Sequence, residues 1–378
     1  MIAERWSDRV NGHRLSRKGV FAQVNRKVAK QVRVSLSAVS RVEAWFPLVL
    51  RDLPWRKRRT PWRVFVSEIM LQQTQASRVA EKFPPFVRRF PNPKRLAQAP
   101  EQDVLALWQG LGYYRRAKNL RAAAQMMVAQ FGGRVPRSVQ ELQTLPGIGR
   151  YSAGAIASIA FGQAAPIVDG NVARVLSRIA DRRETTKGKI AEAWLWSTAE
   201  ELVRSAKSPA VLNEALMELG ATVCTPRAPR CGECPLKRCC RSFKAHSQEF
   251  VPLSNSAAPR KTVVHHACVE IRGLKIGVEI RPATGLWAGM LSPPVVESSS
   301  VYSTAKLMRE RRDIKRIKKF QREFEFLTTH RTVRIRVYQV EFHSGAKVRW
   351  VDVAKLNKFA VSNAVLRMVD VAQKNMDA

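Results

Sequence analysis

Five of the six cysteines in this 378-residue chain fall between positions 224 and 240. Such crowding points to metal ligation, because disulfide frameworks spread their cysteines through small secreted domains. Cys224, Cys231, Cys234 and Cys240 place four thiolates in one short loop, enough for a four-iron cluster or one tetrahedral zinc. Cys239 leaves a second register open. Zinc sites commonly set two Cys-x2-Cys units well apart, and here one such unit is present, so the spacing favours the cluster. Arg227 and Arg230 lie between the thiols, with Lys237, Arg238 and Arg241 beside them. A metal-pinned loop this rich in cations suits the gripping of phosphates.

Three further segments carry chemistry. In Leu145–Ala155, Pro146, Gly147 and Gly149 predict a tight hairpin, and from Tyr151 the run of Ala and Ser predicts a helix. Gly147 and Gly149 would let backbone N–H groups approach a phosphate, the helix start adds its positive end, and Arg150 adds a full charge. This is a helix-hairpin-helix reading for contact with a DNA backbone; an ordinary turn between helices is the plainer one. Val168–Val172 predicts a turn with Asp169 as N-cap of a helix over 171–180. A carboxylate at a helix start is expected to stay ionised, as a group stabilising a cationic sugar must. In Ser67–Gln75, Glu68 is the one carboxylate, set among Ile69, Met70 and Leu71. Burial there would raise its pKa and suit it to general acid work, whereas a solvated face shared with Gln72 and Gln75 is the bland alternative. Trp108–Arg116 mixes glycines, aromatics and arginines, so Tyr113 could wedge into a base stack or sit in a core.

These residues need a scaffold, and the chain is long enough for one. With 66 Lys or Arg against 30 Asp or Glu the formal charge is +36, yet 45% of residues are apolar, as in a folded globular protein. The charge favours a polyanionic partner. No apolar run suggests a membrane span or a secretion signal. Residues 1–40 read as a flexible basic extension. From Val42 to Phe131 the pattern is helical, with Trp45, Val49 and Leu53 at four-residue spacing, an amphipathic stretch at 97–108, and breaks expected at Pro54, Pro61, Pro84-Pro85, Pro91 and Pro93. Helices at 152–161, 171–180, 190–206 and 209–220 lead up to the cysteines. Residues 243–261 read as a linker. Val/Ile-rich runs at 262–271, 274–280 and 332–342 then predict strands, the last alternating Val333, Ile335 and Val337 against Arg334 and Arg336.

Together the motifs resemble the helix-hairpin-helix DNA glycosylase superfamily with an iron–sulfur loop, and within it the adenine DNA glycosylases, densely over 41–242 and weakly over 262–378. SEIMLQQTQ matches that family's version of the acid-bearing helix, and Tyr151 stands where glycosylase-lyases carry a nucleophilic lysine. The resemblance implies a mainly α helix-hairpin-helix domain at 41–242 with its cluster loop at 224–240, followed by a C-terminal α+β MutT/Nudix-like lesion-recognition domain at 262–378. It also implies one 4Fe-4S cluster on Cys224, Cys231, Cys234 and Cys240. The implied activity is hydrolysis of the N-glycosidic bond of adenine mispaired with 8-oxoguanine or guanine, by a monomer acting on duplex DNA in the cytoplasm or nucleoid, or in a nucleus or organelle if eukaryotic.

By the same resemblance the base flips out of the stack. Glu68 would protonate a purine nitrogen, and Asp169, polarised by Asn171 and held with help from Tyr151, would stabilise the oxocarbenium-like sugar. Arg51 would steady the acid; Trp55, Arg56 and Leu71 would line the pocket; Gln73 and Tyr113 would fill the gap left by the base. Arg150, Gly147, Gly149, Arg227 and Arg230 would meet phosphates. In the second domain Ala283–Gly289 matches the core loop, but Thr328-Thr329-His330 replaces a Phe-Ser-His element, keeping a hydroxyl and the imidazole while losing the aromatic. Met308–Lys319 is basic where a Nudix hydrolase carries an acidic helix, so triphosphatase activity is not expected. A glycosylase-lyase on oxidised pyrimidines and a non-catalytic lesion-binding protein are the competing functions; Tyr151 opposes the first, Glu68 and Asp169 the second.

Overall fold

The computed structural model describes residues 34, 37–253 and 259–374. The helices run α1 (Ser37–Val49), α2 (Pro61–Leu71), α3 (Ala76–Arg89), α4 (Pro93–Ala97), α5 (Glu101–Leu107), α6 (Arg115–Gln130), α7 (Val139–Thr144), α8 (Arg150–Phe161), α9 (Gly170–Ala180), α10 (Lys189–Arg204), α11 (Pro209–Thr222) and α12 (Arg241–Lys244). These helices are followed by a mixed α+β part from Lys261 onward, the division expected from the sequence. Most of the expected basic extension lies outside the described residues, but its last four residues belong to α1, where Ala38 and Val39 are buried. Among the described residues no helix is long and apolar enough to cross a membrane.

Contacts divide the chain into two units, 1–51 with 162–255 and 52–161 with 256–378. In the first, α11 packs on α1 and α9. The buried stripe of α1 is Ala38, Val39, Val42 and Phe46, not the expected Trp45, Val49 and Leu53; Val49 is exposed and Leu53 lies beyond the helix. The first part of the expected linker is fixed in place: Ser247 donates to the Asp181 carboxylate, and Leu253 N–H donates to the Arg183 carbonyl.

In the second unit α2 starts cleanly, with Thr60 as N-cap and Pro61 in its first turn. Pro84 and Pro85 do not break the chain as expected, because α3 runs through them. Burial of Val79, Phe83, Phe86 and Val87 along one stripe outweighs the backbone bonds that two prolines forgo. The amphipathic stretch at 97–108 is in fact the end of α4 and the separate α5, with Pro100 as the N-cap between them.

The C-terminal part of that unit holds β1 (Lys261–Val269), β2 (Ile271–Arg272), β3 (Lys275–Ile280), β4 (Leu291–Ser292), β5 (Val295–Ser298), α13 (Thr304–Glu310), β6 (Ile314–Leu327), β7 (Arg331–Phe342), β8 (Arg349–Asp352) and α14 (Asn363–Lys374). One sheet has the order β5-β1-β7-β6, with β1 and β7 parallel; in the other, β3 pairs β2, β4 and β8. Val333, Ile335 and Val337 point into the core beneath α14, as their alternation predicted. Sequence patterning missed β6. Met308–Lys319 is not one basic segment: it ends α13 and begins β6.

Candidate active site

Glu68 sits on the buried face of α2, 6% exposed, and α2 packs against α8. The solvated-face alternative therefore falls. Gln72, one turn on, donates to Ser152 Oγ of α8 at 3.0 Å. At the end of α2 the chain turns through Gln73, with φ 54°, and the loop before α6 turns through Tyr113, with φ 47°. Both residues are exposed and both hold the left-handed conformation that L-residues rarely adopt. One buried side chain ties the two tips together. Arg116 donates to the carbonyls of Ile69 (3.0 Å) and Met70 (2.7 Å) at the end of α2, and to those of Leu111 (3.0 Å) and Gly112 (3.1 Å) in the Tyr113 loop. Burial lowers its pKa to about 10, still charged at physiological pH.

The predicted hairpin joins α7 and α8. Gly147 has φ 79°, and a Cβ there would come within 2.7 Å of the Asn119 amide, so only glycine fits. Gly149 faces open space, and Arg150 and Tyr151 begin α8.

In the first unit Asp169 is the N-cap of α9. It accepts from Val172 N–H at 2.7 Å and from the Asn171 amide at 3.1 Å. Burial nevertheless pushes its pKa above the usual carboxylate range, and those hydrogen bonds and Arg174 pull it only partly back. Desolvation is thus the larger effect, and the helix-start hydrogen bonds oppose it. Asn171 also needs a neighbour without a side chain, since a Cβ on Gly220 of α11 would lie 2.5 Å from its own.

Two arginines of α9, which the sequence reading did not single out, carry this turn to the cysteine loop. Arg174 donates to Asn171 Oδ1 at 2.9 Å, to the Cys224 carbonyl at 2.8 Å and to the Gly220 carbonyl at 2.8 Å. Arg178 donates to Cys224 Sγ at 3.4 Å and to the Thr225 carbonyl at 2.7 Å. Burial, and then the neighbouring Cys224, Cys240 and Cys231, push the Cys234 thiol up to about 12. Burial raises the Cys231 and Cys240 thiols as well, and a bound cationic centre would lower all three. Among the described residues no group of three or more His, Cys, Asp or Glu converges on one metal ion.

Arg51, expected to steady the acid, forms a two-pronged pair with the buried Glu218 of α11, with Nη2 to Oε2 at 3.0 Å. Trp55 is a core residue, edge-on to Phe83 at 6.0 Å, while Arg56 and Leu71 are half-buried. Arg230 is committed to the Thr222 carbonyl and to Glu233, whereas Arg227 is exposed. In the second unit a cavity of about 960 Å³ is lined by Tyr113, Trp287, Phe326, Thr329 and His330 among others. Tyr113 and Thr329 share a hydroxyl–hydroxyl hydrogen bond. Thr328 instead closes the β6–β7 turn on Arg331.

Residues 66–200 match the HhH-GPD superfamily of base excision DNA repair proteins, and residues 266–371 match the NUDIX domain. Over 222 residues the chain is 45% identical to the adenine DNA glycosylase of Homo sapiens, covering 56% of this chain and 40% of that protein. It is 44% identical over 203 residues to the adenine DNA glycosylase of Mycobacterium tuberculosis, covering 52% of this chain and 64% of that one. The chain is thus similar to adenine DNA glycosylases over about half of its length. It spans about half the length of the curated relatives that it matches. A solved thermostable thymine-DNA glycosylase is similar over 59% of this chain and 99% of its own, at 28% identity and a TM-score of 0.50. The arginines at 116, 174 and 178 are what the fold of the present chain adds to the motif residues.

Proposed function

We propose that the chain is a monofunctional adenine DNA glycosylase, acting as a monomer on adenine opposite 8-oxoguanine or guanine in duplex DNA and leaving an abasic site. The observation that carries this reading is the turn at 168–172, where Asp169 is held by Val172 N–H and Asn171. A half-buried carboxylate fixed at two points suits a developing positive charge better than it suits solvent. Glu68, buried on α2, donates its proton to a ring nitrogen of the flipped adenine. The bond between the sugar C1′ and the base nitrogen then breaks with its electrons leaving on adenine. Asp169 stabilises the oxocarbenium-like sugar, water adds at C1′, and its proton passes to a carboxylate. Tyr151 assists Asp169. With no lysine at 151, no Schiff base forms and the strand stays intact.

The functional domains of this reading are 41–242 and 262–378, joined by the linker at 243–261. Gly147, Gly149, Arg150 and the exposed Arg227 meet phosphates. Gln73 and Tyr113, exposed at their turn tips, fill the gap in the stack. Thr329 and His330 read the base opposite adenine, and Trp287 and Phe326, which line the same cleft, offer aromatic surface in place of the one missing at Thr328. Cys224, Cys231, Cys234 and Cys240 hold one 4Fe-4S cluster, which when bound cross-links their loop.

The test is single-turnover base release by Glu68→Gln and Asp169→Asn. Both variants should bind duplex DNA like the parent and release adenine at least ~10²-fold more slowly. Unchanged rates would remove these two residues from the chemistry.

A further inference from the structure

Strand β6 is the edge of its sheet, and its pairing with β7 slips three times: between Ile314 and Arg316, between Ile317 and Lys319, and between Phe320 and Arg322. Each slip inserts one extra residue, so over this stretch β6 advances three residues for every two of its partner. The repeat reads Ile-Lys-Arg, Ile-Lys-Lys, Phe-Gln-Arg. Its first member pairs with Phe342, Val340 or Tyr338, and Ile314 and Ile317 pack into that cluster. The other two members of each triplet are left for the outer side. A regular strand would turn every second residue outward; this one turns out two in three.

Those outward positions hold Lys315, Arg316, Lys318, Lys319 and Arg322, with Gln321 the one neutral member. Glu341 is the carboxylate that answers them, at 3.0 Å from Lys315, 2.8 Å from Arg316 and 3.8 Å from Lys318. Among the described residues no ion-pair partner faces Lys319 or Arg322. Phe320, 43% exposed, lies in the middle of this row with the Arg336 guanidinium 4.5 Å from its ring centre. At its other end β6 supplies Phe326 and Leu327 to the cleft lined by Tyr113 and Thr329. The row of cations therefore leads away from that cleft along one strand.

We propose that the bulged edge of β6, from Lys315 to Arg322, is a second binding track for the phosphate backbone of duplex DNA, continuing outward from the cleft. Each triplet advances ~7 Å along the partner strand, at two residues of ~3.4 Å each, and duplex DNA presents one charge per ~3.4 Å on each strand. Two cations in each of the first two triplets, with Arg322 in the third, thus give a linear charge density comparable with that of one DNA strand along its axis. The choice of DNA as the polyanion rests on the glycosylase reading above.

The experiment compares the full chain with a Lys318→Ser, Lys319→Ser, Arg322→Ser variant, using an undamaged duplex of about 30 base pairs over a salt series. At ~0.9 counterions released per phosphate contact, losing three contacts should flatten the slope of log affinity against log salt by about 2.7, and Kd at low salt should rise roughly tenfold. A Lys355→Ser, Lys358→Ser variant, from elsewhere in the same domain, should change neither quantity by as much. An unchanged slope in the triple variant overturns the track, leaving its cations to keep an exposed edge from pairing with another strand. So does loss of binding to phosphatidylserine vesicles without loss of duplex binding. If the variant fails to fold, acetylation of the unaltered protein decides: duplex DNA should shield Lys318 and Lys319 more than Lys355 and Lys358, and equal labelling overturns the proposal. Absence of adenine release by the unaltered chain would sink the glycosylase reading while leaving the duplex-binding comparison intact.

Discussion

Arg174 holds Asn171 and the Cys224 backbone with one guanidinium, at 2.9 Å and 2.8 Å. The residue that bonds Asp169 is thereby fixed by the same side chain that fixes the first cysteine of the thiol loop. Arg174→Ala should slow base release by about tenfold or more, since hydrogen bonds to charged groups contribute ~1.5–3 kcal/mol each. Arg174→Lys should not restore it, because a point charge cannot span both acceptors. Single-turnover rates and iron content measured together check this; full activity in the alanine variant would break the link.

Removal of the metal tests the same connection from the other side. Chelation or a Cys234→Ser change should loosen residues 224–240 and, through Arg174, the Asp169 turn. Hydrogen exchange should then rise at both 168–172 and the loop. Exchange confined to the loop would show that the two are uncoupled.

Asp169 has a raised pKa, so its ionised form costs folding free energy. The sign follows directly: the cost is absent below the unfolded pKa near ~3.9 and is complete once pH has risen through the higher folded value. Asp169→Asn, which keeps a good N-cap, should therefore raise Tm at pH 7 while abolishing base release. The gain should shrink as pH falls through the folded pKa. A lower Tm for the variant at pH 7 contradicts this.

Gly220 gives Asn171 its room. Gly220→Ala puts a methyl carbon 2.5 Å from Asn171 Cβ and should cost about 1–3 kcal/mol by overpacking, with a matching loss of activity. Denaturant melts and base-release rates provide the measure.

Arg116 bonds carbonyls on both sides of the Gln73 and Tyr113 tips. Arg116→Ala strands those carbonyls and should destabilise the protein by about 3–5 kcal/mol. Arg116→Lys should recover little of it, because an ammonium offers three donors and no planar fork.

What was legible in the sequence was what is local in it. The cysteine spacing, the hairpin glycines and the Asp-Gly-Asn turn each lie within about twenty residues, and their residue types nearly fix their geometry. Arg51 and Glu218 are 167 positions apart, and nothing near either one announces the pair. Arg116 belongs to a mixed run of glycines, aromatics and arginines, and its role comes from tertiary packing that buries it against carbonyls more than 40 positions away. Strand β6 hid for a different reason: its bulges replace the two-residue alternation by a three-residue repeat, which imitates a basic helix. Pro84 and Pro85 misled because a buried stripe overrode local breakers.

The central claim, base release without strand cleavage, is tested most directly on duplex DNA carrying adenine opposite 8-oxoguanine, with the products analysed before and after alkali. The intact protein should yield strand breaks only after alkali. Breaks without alkali would mean a lyase despite Tyr151, and no abasic site at all would mean a DNA-binding protein that keeps the fold without the reaction.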